Sequence, residues 1–200
     1  MTIILVTNKV AMDYRIEKEK KVYDGFLKVL EAQVKHDTFE QETYITAKRE
    51  CLERGDSVAV LVYEVDTDSF VFTRQFRYPS ARRGSPWMLE LVAGSIDDGE
   101  SDIASAKREL QEEIGYQVDK LEKIHTYFPS PGGCSEQIHL FYTEVHSSQQ
   151  TQTGGGKESE KEDIQIVRIK KLEAKKILLE GAFNNSISII GLQWWFLKDS

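Results

Sequence analysis

Three glutamates crowd one short stretch of this chain, Arg108-Glu109-Leu110-Gln111-Glu112-Glu113-Ile114-Gly115-Tyr116, and they stand at the unfavourable end of a helix. At about 3.6 residues per turn, Ile103, Ala106, Leu110 and Ile114 align on one stripe, while Glu109, Glu112 and Glu113 cluster on another. Gly115 is the natural left-handed terminator, so the carboxylates fall in the last turn, where the helix dipole disfavours negative charge. Each like-charged pair costs roughly 0.2–0.5 kcal/mol more. Arg108 can pair with Glu112 one turn on, but it cannot neutralise three acids. A hard divalent cation with oxygen ligands can. Seen alone, such a run is more often a solvated acidic face.

The flanking pattern gives this helix a setting. Residues 88–93 read as a strand running into Gly94, which yields the layout strand, loop, helix, loop. Gly94 makes a turn and, without a side chain, lets backbone carbonyls approach an ion. Upstream, 57–63 is a strongly apolar strand, with 69–77 its hairpin partner across Asp66-Thr67-Asp68. A core domain over 55–200 is expected. Before it, 22–30 and 42–46 read as strands of a small antiparallel sheet within 1–54, too small to be stable alone. Lys18-Glu19-Lys20-Lys21 is assigned to a solvated strand end or turn. Residues 138–145 and 164–169 read as strands, separated by a polar stretch from His146 to Asp163 that contains Gly154-Gly155-Gly156 and is expected to be unpacked and mobile. Residues 172–179 and 186–197 read as helices, the second placing Trp194 and Trp195 in the core or an interface.

Composition narrows the class. Two hundred residues with 40% apolar content suffice for one ample core, with or without an appendage. A net charge of -7 argues against a nucleic-acid partner, which calls for a basic face. No stretch approaches the roughly 18 apolar residues of a membrane span, and Met1-Thr2-Ile3-Ile4-Leu5-Val6 lacks a basic lead and a cleavage site. Cys51 and Cys134 form no ligand or disulfide pattern, so reduced thiols and a cytoplasmic location are expected.

Three further features suit a phosphorylated small molecule. In Arg74-Gln75-Phe76-Arg77 a guanidinium can fork onto phosphate oxygens, although a strand-end ion pair fits the spacing equally well. Phe128-Pro129-Ser130-Pro131-Gly132-Gly133-Cys134-Ser135-Glu136 is a stiff turn followed by flexible glycines, able to present Ser130 and Glu136, or simply to connect. Glu158-Ser159-Glu160-Lys161-Glu162-Asp163 places carboxylates on a loop, suited to a base that closes over substrate or to a solvated acidic turn.

Read from Gly94, the chain runs five residues to Glu100, seven more to Arg108-Glu109-Leu110, then one to Glu112-Glu113-Ile114-Gly115-Tyr116. This resembles the Nudix box, with the fixed charged residues and both glycines in register; Tyr116 stands where the family usually has a bulky aliphatic residue, at a packing position. With the three features above, and with Arg49-Glu50, Arg54-Gly55 and 187–194, the likeness covers almost the whole chain. It points to the branch that hydrolyses nucleoside diphosphate sugars, typified by ADP-ribose and GDP-mannose pyrophosphatases.

The resemblance implies an α/β/α sandwich with a mixed sheet, plus a small N-terminal antiparallel sheet that exchanges with a second subunit in a homodimer. It implies Mg2+, with Mn2+ as a substitute, held by Glu109, Glu112, Glu113, Glu162 and the carbonyl of Ala93. Arg108 would hold the carboxylates and Glu100 would support the loop. Glu160 matches the base, with Glu158 its rival. Arg49, Glu50, Arg77, Ser130 and Glu136 match substrate contacts, the first two across the dimer. The products would be a nucleoside monophosphate and a sugar phosphate. The alternative is a non-catalytic Nudix sensor or regulator that binds a nucleotide sugar; it would usually carry a DNA-binding appendage or a degraded box, and neither is visible.

Overall fold

Strand formation begins in a region with little to bury. The computed structural model describes residues 12–40 and 43–198, with the side chain of Glu160 excepted. The chain divides into two compact units. One comprises the described residues up to Arg54 together with Ser130–Ser135; the other comprises Gly55–Pro129 and Glu136–Ser200, as far as they are described.

In the first unit, β1 (Tyr14–Asp24), β2 (Lys28–Asp37) and β3 (Tyr44–Glu53) form an antiparallel meander. The stretch 22–30 is not one strand: it holds the end of β1, a turn and the start of β2. Lys18-Glu19-Lys20-Lys21 lies inside β1 and is solvated, because β1 is exposed along its whole length. Leu52 N–H donates to Gly133 O at 2.8 Å, and Ser135 Oγ donates to Glu53 Oε2 at 2.7 Å, so the 130–135 turn belongs to this sheet.

The second unit is built on β4 (Ser57–Glu64) and β5 (Ser69–Phe76), followed by the short helix α1 (Tyr78–Ala81), β6 (Trp87–Glu90), β7 (Val92–Ser95) and α2 (Asp102–Ile114). Then come β8 (Glu122–Tyr127), β9 (Ile138–Val145), β10 (Gln165–Lys170), α3 (Lys171–Leu179) and α4 (Ser186–Leu197). The sheet runs β10-β5-β4-β9-β8, with β4 and β9 parallel and the other neighbours antiparallel. Strands β4 and β5 pair only from Val62/Val71 to Glu64/Ser69. They then part, and 87–95 fills the fork: β6 pairs with β5, the chain steps across at Leu91, and β7 pairs with β4. The expected single strand 88–93 is therefore two.

Alternation along β4 explains why its sequence is apolar throughout. Val58, Val60 and Val62 pack with Ala106, Leu110, Ile114 and Tyr116 on the α2 face. Ala59 and Leu61 pack with Ala174, Phe183 and Leu192 on the other, where Trp194 and Trp195 join the core. A strand covered on both faces has no polar side to show. The result is the expected α/β/α sandwich with a mixed sheet and a separate small antiparallel sheet. Ile103 departs from its stripe and is 49% exposed in the first turn of α2, where Asp102 instead reaches Lys123 on β8 and His139 on β9. Strand β8 has no counterpart in the sequence reading: its residues are mostly polar because it is a half-solvated edge.

Candidate active site

The last turn of α2 turns two of its glutamates inward. Ser101 caps the start of the helix by accepting from Ala104 N–H at 3.2 Å, and Gly115 ends it at φ 76°. Ala106, Leu110 and Ile114 lock one side onto the sheet. The rotation this imposes directs Glu113, 1% exposed, and Glu109, 9% exposed, toward β7. Ala93 N–H donates to Glu113 Oε2 at 3.2 Å. In an antiparallel ladder the N–H and C=O of one residue share an edge, so the Ala93 carbonyl also turns away from β4. Beside it, Gly94 leaves room for the Glu109 carboxylate: a Cβ there would overlap it and displace it.

Arg108 organises the other oxygens. Its Nη1 donates to Glu109 Oε1 at 2.6 Å and Glu112 Oε2 at 3.1 Å. Its Nε and Nη2 fork onto Glu100 at 3.2 and 3.0 Å, and Nη2 also reaches Ser95 O and Ser105 Oγ. Such bidentate, charge-assisted pairing is geometrically rigid, and these acids hold the guanidinium above its ordinary pKa. Glu113 has no such partner. Burial, then Glu109, push its carboxyl well above the usual range; Glu162 adds to this, while Ala93 N–H and Arg77 oppose it. Burial likewise raises Glu109, against Arg108 and with help from Glu112 and Glu162.

The His146 to Asp163 stretch was expected to stand free, and instead it caps the helix. Gly155 N–H donates to Glu113 O at 2.9 Å and Gly156 N–H to Glu112 O at 3.1 Å. Gln150 Nε2 donates to Ile114 O at 3.0 Å, and Thr151 N–H to Gly115 O at 2.8 Å. These bonds satisfy carbonyls that a helix end leaves unpaired. All three glycines take positive φ (64°, 111° and 86°), and at Gly154 a Cβ would collide with the backbone of Glu113 and Ile114. The cap carries Lys157 Nζ to Glu112 Oε2 at 3.0 Å and holds Glu162, its Oε2 accepting from Lys157 N–H at 3.0 Å, where its charge reaches Glu109 and Glu113.

The other anticipated residues have their own partners and settings. Arg77 follows β5, and its Nε donates to Glu90 Oε2 at 2.8 Å. Arg74 turns to Gln165 Oε1 on β10 at 3.4 Å. Glu136 is buried and accepts from Ser57 Oγ at 2.6 Å. Arg49 and Glu50 are exposed neighbours on β3, and Ser130 is exposed in the turn of the same unit, its carbonyl accepting from Gly133 and Cys134 N–H. Glu158 is exposed; the side chain of Glu160 lies outside the described residues.

A model of the NUDIX domain matches residues 53–184. The chain belongs to the Nudix family. It is similar to the ADP-ribose pyrophosphatase of Haemophilus influenzae, 38% identical over 187 residues that cover 91% of this chain and 85% of the relative. The ADP-ribose pyrophosphatase of Escherichia coli (strain K12) is 32% identical over 184 residues, 91% of this chain and 87% of the relative. The GDP-mannose pyrophosphatase of Cronobacter sakazakii is 35% identical over 148 residues, 73% and 76%. In this Nudix hydrolase the site geometry also involves residues that the sequence alone did not single out. Glu90, which holds Arg77, carried one signal, a lone acid inside the apolar run 87–93. Lys157 and the capping amides of Gly155 and Gly156 carried none, because backbone pairing at a distance leaves no mark on residue type.

Proposed function

We propose that this Nudix hydrolase cleaves the pyrophosphate bond of a nucleoside diphosphate sugar of the ADP-ribose or GDP-mannose class, in a magnesium-dependent reaction. The observation that carries this reading is Glu113, buried beside Glu109 with no ion-pair partner among the described residues. Among the described residues, no trio of acidic, histidine or cysteine side chains is already gathered around one point. The fit rests on two buried carboxylates whose Glu109 Oε2 and Glu113 Oε1 accept no protein hydrogen bond among the described residues. An unpaired charge in such a place is costly and asks for a cation. The ligand set is Glu109, Glu113, the Ala93 carbonyl, Glu112 and Glu162, all oxygen donors suited to Mg2+ or Mn2+. When bound, the ion neutralises the diphosphate and acidifies water.

The chain's own residues do the rest. Arg108 holds Glu109 and Glu112 in place through its Nη1 hydrogen bonds. Glu160, on the capping loop, takes the proton of the attacking water, with Glu158 as the rival base. The water oxygen bonds to one phosphorus, the bridging P–O bond breaks, and the bridging oxygen leaves on the other phosphate, giving a nucleoside monophosphate and a sugar phosphate. Arg77, held by Glu90, keeps its terminal nitrogens for a phosphate; Glu136, Ser130, Arg49 and Glu50 complete substrate binding in a homodimer. The dimer reading is supported by Tyr14, Ile16, Tyr23, Phe26 and Tyr44, all exposed on the N-terminal sheet. Two free thiols, and no helix among the described residues long and apolar enough to cross a membrane, support a cytoplasmic enzyme.

The test is phosphate release from a panel of nucleotide sugars, with a phosphatase added to free the product phosphate. Mg2+-dependent turnover of ADP-ribose or GDP-mannose is the expected result. Binding without hydrolysis under saturating Mg2+ and Mn2+ would instead identify a sensor.

A further inference from the structure

Tyr116 closes the box at a position the family usually fills with an aliphatic side chain, and its hydroxyl is fully engaged. The residue is completely buried; its Oη donates to Glu64 Oε1 and accepts from Arg168 Nη2 at 3.1 Å. Glu64 is equally buried and also accepts from Arg168 Nε at 3.0 Å and from Thr67 Oγ1 at 2.6 Å. Arg168 lies opposite Val71, and Val71 opposite Val62, so the guanidinium crosses β5 to reach the end of β4. There its Nη2 donates to Gln150 Oε1 at 3.0 Å, while Gln150 Nε2 donates to Ile114 O at 3.0 Å. The circuit runs from β4 through Tyr116 to β10, on to the 150–163 loop and back to α2. An aliphatic residue at 116 would fill the space and leave the circuit open.

We propose that Tyr116, Arg168 and Gln150 are positioning residues that fix the 150–163 loop on the end of α2, and so set how Glu162 meets Glu109 and Glu113. This rests on reading those acids as the magnesium site. The loop is anchored at its start by the Gln150 side chain and by Thr151 N–H on Gly115 O, and further on by the Gly155 and Gly156 amides. Among the described residues, Gln150 is the one side-chain link between the circuit and this start; losing it loosens the anchoring that the Gly155 and Gly156 amides share, and Lys157 N–H carries the shift to Glu162.

Tyr116→Phe keeps the ring and leaves the Arg168–Glu64 pair intact, whereas Gln150→Ala cuts the loop-side link at a half-buried position outside the core. Hydrogen exchange at the Gly155 and Gly156 amides reads the anchoring with no substrate present, and calorimetry reads Mg2+ binding. In both variants these amides should exchange roughly five- to tenfold faster, with β4 and β9 amides unchanged. The Mg2+ dissociation constant should rise by a similar factor, and kcat should fall with KM held within about twofold. Arg168→Lys should retain more Mg2+ affinity than Arg168→Met. Wild-type exchange in both variants, or a loosened loop with wild-type Mg2+ binding and kcat, would overturn the proposal. A wild-type protein that binds no Mg2+ would instead sink the site reading, before any variant is compared.

Discussion

Ala93 and Glu113 lie twenty residues apart and meet at 3.2 Å, a strand amide donating to a helix carboxylate. That single bond ties the fork strand β7 to the last turn of α2 and fixes the least solvated acid of the box.

Glu113→Gln keeps an acceptor for Ala93 N–H and removes a buried charge. Turnover should fall by about a hundredfold or more under saturating Mg2+, with the fold intact. The ion-free protein should become more stable above the carboxylate range. Since the folded-state pKa of Glu113 is raised, its wild-type penalty is absent below the ordinary carboxylate pKa and develops as pH rises through the raised value. Chelator-treated melting curves at acid and neutral pH check this: a variant no more stable than wild type at neutral pH contradicts it.

Gly94→Ala drives a methyl group into the Glu109 carboxylate. Overpacking of this kind costs about 1–3 kcal/mol, and the displaced carboxylate should weaken Mg2+ binding as well. Denaturant melts with and without Mg2+ measure the two effects; the stabilisation gained from the ion should be smaller in the variant than in wild type.

Two glycines with similar positive φ separate strain from collision. At Gly181, φ 71°, a Cβ meets open space, so Ala costs only about 1 kcal/mol of backbone strain. At Gly154, φ 64°, it meets the backbone of Glu113 and Ile114, and Ala should cost clearly more while lowering kcat. Equal melting temperatures for the two variants would refute the capping role.

Glu64 predicts the acid limb of stability. Burial alone would raise its pKa, but hydrogen bonds from Thr67, Tyr116 and Arg168 hold it below the ordinary value. A depressed carboxylate stabilises fully above its unfolded-state pKa, and that stability is lost as pH falls through the folded-state value. Glu64→Gln should therefore be less stable than wild type at neutral pH, with the gap narrowing as pH falls below the carboxylate range. A gap independent of pH in urea titrations would exclude ionic stabilisation by Glu64.

Much of the site was legible because it is local. The 3.6-residue stripe of Ala106, Leu110 and Ile114, the terminator Gly115 and the Arg108–Glu112 spacing all lie within one helix, where covalent geometry alone sets who faces whom. The apolar run of β4 likewise announced a strand, while the cover on both its faces came with the tertiary structure. The misplacements have nonlocal causes. The break at Leu91 exists because β4 and β5 diverge, and the first turn of α2 meets β8 and β9 through Asp102 while Ile103 stays exposed. The polar 146–163 stretch offered no apolar face, yet it is held by backbone bonds to the end of α2. Sequence by itself determined which side chains carry the charge and the helix that bears them. Only tertiary structure decided that Glu113 is buried with no ion-pair partner among the described residues, that Arg77 answers to Glu90, and that the glycine-led loop brings the Glu162 charge within reach of Glu109 and Glu113. Burial and long-range amide pairing depend on where distant strands lie, and residue type does not encode that.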